Sequence, residues 1–161
     1  MSQASAAYFY QIIQGGFISM DTSAFAVRYL SLNETEYIDG GITQTVLDKM
    51  VRMIRGGTVR EVYLSMSEYG GGDDEDFFNV DLAHGWAVPA FNYWDEEGEA
   101  HMLLPVNGKY SGGESAPVEI GGQTPVLKRN ALDDLDLAAE CVLHFARTGT
   151  LYPGLEWEEF E

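Results

Sequence analysis

The stretch that decides the fold runs from Val59 to Val106 and reads VREVYLSMSEYGGGDDEDFFNVDLAHGWAVPAFNYWDEEGEAHMLLPV. Apolar and polar residues alternate along it, the period of a strand with one buried face. Val62, Leu64 and Met66 share one side of the run Val59 to Ser67, and Phe78, Val80 and Leu82 share one side of Asp76 to Ala83. Ala87 to Trp94 is a third strand, and Pro89, which cannot donate to a ladder, belongs at an edge or near the strand's start. Asp95-Glu96-Glu97-Gly98 has turn chemistry. Glu99 to Val106 returns from it, with Met102, Leu104 and Val106 on one side. Strands in succession with no helix between them predict an antiparallel meander.

Working outward, Thr43 to about Ile54 carries Leu47, Met50, Val51 and Ile54 at i, i+3, i+4 and i+7, one apolar stripe of a helix. Arg52 and Arg55 suit the negative end of its dipole, and Gly56-Gly57 ends it. A second helix is expected over about 131–148, capped by Asn130 and stopped by Gly149. Its buried stripe is Leu132, Leu135, Ala139, Val142 and Ala146. Five glycines between Asn107 and Gly122 predict a long loop with a short extended piece at Val118 to Ile120, and Gln123 to Leu127 reads as a further strand. Tyr8 to Leu32, broken by Gly15-Gly16, reads as two strands joined by a turn, with a short N-terminal helix as the alternative. The expected fold class is α+β: an antiparallel meander packed on one face by two helices, about 43–55 and 131–148. The 161 residues fit a single domain.

Charge narrows the function classes. Nine Lys and Arg against 26 Asp and Glu give a net charge of −17, and between Glu61 and Gly108 stand eleven acidic residues with no Lys or Arg. Such a field repels phosphate backbones and anionic membranes, so neither nucleic acid nor membrane is an expected partner. It attracts basic proteins and speeds their association. A single cysteine, Cys141, excludes an intrachain disulfide and suits a reducing compartment. Without a basic stretch ahead of the first apolar run, or a long apolar segment, the expected location is cytoplasmic.

Motifs for chemistry are sparse. His84, His101 and His144 stand at no metal-ligand spacing, and one cysteine cannot build a thiolate zinc site. Cys141, beside an apolar helical stripe and among acidic residues, reads as a buried inert thiol. There is no nucleophile elbow, dinucleotide fingerprint or P-loop. The expectation is no catalytic residue, no metal and no cofactor. What remains is an acidic surface: Asp73, Asp74, Glu75 and Asp76 after a triple glycine, and Asp95, Glu96 and Glu97 beside Trp94. The loop at Asp73 to Asp76 reads as a solvated acidic turn, as a Ca²⁺ loop that lacks EF-hand spacing, or as an electrostatic grip for basic side chains, and carboxylates next to exposed aromatics make a protein-binding surface.

The C-terminal pattern adds a resemblance. Pro125-Val126-Leu127, a helix, His144-Phe145-Ala146-Arg147-Thr148-Gly149, Pro153 and Leu155-Glu156-Trp157-Glu158-Glu159 together resemble immunity protein family one of the bacterial polymorphic toxin systems. Val59 to Ser67, Phe78-Asn79-Val80 and Gly85-Trp86-Ala87 look like that family's central meander. Gly149, Pro153 and Trp157 match its motif as structural residues. The resemblance covers a core over 43–159, and residues 1–40 stand outside it as a strand-pair or lineage-specific extension. The resemblance implies a binder and not an enzyme: a monomer that holds the basic C-terminal domain of a secreted toxin in a 1:1 complex. It also implies that the toxin attacks nucleic acid, as a deaminase or a nuclease. The acidic surface at Asp73 to Asp76 and Trp94 to Glu97 would then occlude the toxin's active site. An acidic secretion chaperone or adaptor, and a carboxylate or metal-dependent enzyme, are the alternatives.

Overall fold

The computed structural model describes residues 25–67 and 75–161. The fold is α+β, and among the described residues it has a seven-stranded antiparallel sheet, a separate two-stranded sheet and two α-helices. The large sheet holds β1 (Tyr29–Leu32), β2 (Thr35–Ile38), β3 (Glu61–Ser65), β4 (Phe77–Ala83), β5 (Trp86–Trp94), β6 (Ala100–Pro105) and β9 (Trp157–Glu159), in the order β2-β1-β3-β4-β5-β6-β9. β3 to β6 form the meander that the alternation predicts, and each pairs with its sequence neighbour. The first two strands of the N-terminal reading lie partly outside the described residues. The part within them, β1, pairs with β3, and β2 continues the sheet.

One face is buried by α1 (Gln44–Arg55) and α2 (Leu135–Thr148). Leu30, Leu47, Met50, Ile54, Val62, Leu64, Phe78, Val80, Val142 and Phe145 form this core. Phe145 stacks on Phe78 with ring centroids 4.7 Å apart and also meets Phe91. Alternation in the strands and the helical stripe are thus satisfied by the same layer. Thr43 caps α1 by accepting from Val46 N–H, and the left-handed residue after the helix is Gly57, not Gly56.

The start of α2 differs from expectation. Asn130 is not its cap: residues 128–130 make a short 3₁₀ turn, and Leu132 exchanges both backbone hydrogen bonds with Ala87. That bridge holds residues 131–133 in an extended path, so Leu132 is buried without belonging to the helix. The helix begins where Asp134 accepts from the amides of Asp136 and Leu137. Asn130 is instead buried, and its amide donates to Pro105 O and Glu158.

Two further expectations are corrected. Strand β3 ends at Ser65, so Met66 does not join Val62 and Leu64 in the core; it is 40% exposed and lies over Gly149. Residues 107–122 are not all loop: β7 (Ser115–Ile120) and β8 (Thr124–Leu127) form a hairpin. Ala116, Val118 and Val126 pack with Val88, Ala90 and Leu104 on the sheet face opposite the helices. Pro89 sits within β5, but only Phe91 to Trp94 of that strand pair with β6. The proline therefore occupies a local edge, where its missing N–H costs no ladder bond.

Candidate functional site: an acidic rim and an aromatic sheet face

The acidic segments flank one end of the sheet. Trp94 closes β5 and Asp76 immediately precedes β4, and the two meet: Trp94 N–H donates to Asp76 Oδ1 at 3.3 Å. Asp95 shapes the turn that follows. Its Oδ1 accepts from the amides of Glu97 and Glu99, both at 2.9 Å, and Gly98 completes the turn at φ +82°. Glu96 and Glu97 are left exposed at the tip. Of the expected binding residues, Glu75, Asp76, Trp94, Asp95, Glu96 and Glu97 therefore border one rim, whereas Asp73 and Asp74 lie outside the described residues.

His101, which its spacing does not single out, stands at the centre of the rim's charge. Tyr93 and His101 are cross-strand partners, and their rings stack with centroids 5.0 Å apart. Asp95 Oδ2 is 2.7 Å from His101 Nε2, and Glu159 Oε1 is 2.5 Å from Nδ1. The hydrogen bond that Asp95 accepts from the ring, then that accepted by Glu159, raises the imidazole pKa above its ordinary value. In return His101, followed by the amide of Glu99, holds the Asp95 carboxyl below the usual range. Donor atoms of Asp95, Glu99 and His101 lie within 4.8 Å of one another, so these are the residues that would hold a cation. Both ring nitrogens and both Asp95 oxygens already have protein partners. A histidine whose partners come from positions 95 and 159 belongs to no local motif.

The sheet face away from the helices carries the second element of the site. Phe78, Val80, Val62, Leu64, Leu30 and Phe91 point to the helical core, so alternation turns their neighbours to the other side. There Tyr29, Tyr63, Phe77 and Trp94 form a ribbon across four strands. Successive centroids are 5.9, 5.0 and 6.2 Å apart, and the central Tyr63–Phe77 pair is stacked. All four rings are half-buried. Beside the ribbon, Asn92 donates to Asn79 at 2.9 Å, Asn79 reaches Asp81 at 3.4 Å, and Asp81 accepts from Gly121 N–H at 3.1 Å. Burial raises the Asp81 pKa against that amide bond. The β7–β8 hairpin packs on this face towards the other end of β4.

The sequence places Phe91 and Tyr93 on one side of β5 and Trp94 on the other without saying which is buried. Packing decides: Phe91 joins the helical core and Trp94 joins the ribbon. Tyr29 and Tyr63 lie 34 positions apart in the chain and are neighbours only through β1–β3 pairing. Of the other candidates, Cys141 is buried, and burial pushes its thiol up to about 12. Trp157 packs against Phe78 and donates its indole N–H to Tyr152 O. Glu158 and Glu159 are not a solvated tail. Glu158 pairs with Arg129 at 2.8 Å, and Glu159 holds His101.

Among the described residues, no helix is long and apolar enough to cross a membrane. No family model matches this sequence, and no curated protein or solved structure matches it.

Proposed function

We propose that this chain is an immunity protein: a cytoplasmic binder that neutralises a secreted bacterial toxin by covering the toxin's active site with its acidic rim. The observation that carries this reading is the Asp76–Trp94 bond. It draws Asp76, just before β4, and the acidic turn after β5 to one edge, within a segment that has no Lys or Arg from Glu61 to Gly108. A toxin that handles nucleic acid, such as a deaminase or nuclease, presents a basic active site, and an inhibitor of net charge −17 complements it. The C-terminal resemblance supports the same reading through Gly149, Pro153 and Trp157. A standard-sized interface of about 1,600 Å² in total needs only a few charged or aromatic anchors. The protein contributes no catalytic group of its own, and its partner is the folded toxin domain in a 1:1 complex.

The test is capture from the native bacterium with the full chain as bait, followed by co-expression of the captured domain. A toxin domain whose growth arrest is relieved only when this chain is present supports the reading. Capture of an unfolded effector segment by a stable homodimer would instead establish a secretion chaperone. Reversing the charges of Asp76, Asp95, Glu96 and Glu97 together should slow association by at least about tenfold at low salt. An unchanged on-rate would remove the rim from the interface.

A further inference from the structure

We infer that the aromatic face of the large sheet recognises arginine side chains on a basic protein partner; the inference rests on the binding reading above and names the partner's chemistry.

Two properties of the face lead there. The first is its charge. Strands β1 to β5 contain no Lys or Arg, while Glu36 and Glu61 occupy the same face as Tyr29 and Tyr63. Burial and then the Glu36 carboxylate raise the Tyr29 pKa, and burial, Tyr29 and the Glu75 carboxylate raise that of Tyr63, so both phenols stand in a negative field. The negative faces of the rings and the surrounding carboxylates thus act in the same direction, towards a cation. The second is its shape. Four half-buried rings in sequence, of which Tyr63 and Phe77 stack on each other, form a continuous aromatic surface, whereas the rim at Asp95 to Glu97 is made of carboxylates.

A guanidinium is planar, stacks on aromatic rings and donates a fork of hydrogen bonds to carboxylates or amide oxygens at the ring edge. An ammonium is a compact, strongly hydrated point charge and uses the ring plane less well. The Asn92–Asn79–Asp81 row supplies acceptors beside the ribbon. Ile38, 49% exposed next to Tyr29, extends the apolar margin. Desolvated aromatics beside acceptors are the surroundings in which arginine anchors interfaces. The net charge of −17 on every copy disfavours a second copy of this chain as the occupant, through like-charge repulsion.

The experiment titrates nona-arginine and nona-lysine peptides of equal charge into the full-length chain. It follows the three indole N–H resonances, with Trp86 and Trp157 as internal controls. The expected result is a shift of the Trp94 resonance and binding of the arginine peptide about threefold or more tighter than the lysine peptide. Tyr63→Ser should abolish that preference while leaving weak, salt-sensitive binding of both. Because Tyr63→Ser also removes packing, Trp94→Leu provides a second variant at the ribbon's end. Equal affinity for the two peptides, or an unmoved Trp94 resonance, would overturn the inference and leave the toxin-binding reading standing. A Trp94 resonance that moves on dilution alone would assign the face to self-association and overturn it as well. Failure of the growth rescue with arginine selectivity intact would overturn the immunity reading and leave this one.

Discussion

His101 ties the turn between β5 and β6 to the last strand. Its Nε2 lies 2.7 Å from Asp95 Oδ2 and its Nδ1 2.5 Å from Glu159 Oε1, so one imidazole on β6 holds a carboxylate from the turn before it and another from the strand beside it. Each carboxylate favours the charged ring, which is why its pKa stands above 6.5 in the fold.

The sign of the pH dependence follows. A raised histidine pKa contributes stability that is fully present below the unfolded value and is lost as pH rises through the folded one. A depressed Asp95 pKa contributes stability that is present above the unfolded value and is lost as pH falls through the folded one. The melting temperature of the wild type should therefore exceed that of His101→Gln most at about pH 5 to 6. The difference should shrink above the raised histidine pKa, and again in strong acid. A difference that stays constant from pH 5 to pH 9 would show that the ion pairs do not form.

Asp134 should behave as the cap of α2, and Asn130 should not. Asp134→Ala is expected to lose about 1 kcal/mol in urea unfolding, because the amides of Asp136 and Leu137 lose their acceptor. The amide resonances of those two residues should report the change directly.

Asn130→Ala removes a buried amide that donates to Pro105 O at 3.1 Å and to Glu158 at 2.8 Å. The stranded acceptors should cost about 1–3 kcal/mol. Asn130→Asp should cost more, since it sets a carboxylate against both acceptors. Hydrogen exchange should place the loss at β6 and β9.

Gly149 ends α2 at φ +72°, and a Cβ there would come within 2.6 Å of Met66 Sδ. Gly149→Ala should lose more than about 1 kcal/mol, from backbone strain and the clash together. Adding Met66→Ala should restore only the part due to the clash. Full recovery in the double variant would show that backbone strain contributes nothing.

The meander, both helices and their buried stripes were legible in the residues themselves, because alternation and helical spacing are local consequences of having one face to bury. The acidic segments and the buried position of Cys141 could likewise be read from neighbouring positions. Tertiary structure decided the rest. Which side of β5 is core depends on where Phe145 of α2 packs, and the true start of α2 depends on Leu132 bridging Ala87. The β7–β8 hairpin was obscured by glycines and by Pro117 and Pro125, yet it forms because Ala116, Val118 and Val126 cover Val88 and Ala90. The ribbon of Tyr29, Tyr63, Phe77 and Trp94 and the grip of Asp95 and Glu159 on His101 join residues far apart in the chain. A sequence pattern carries the period of each element, but contacts across elements depend on register and docking, and these are settled only when the layers close on a common core.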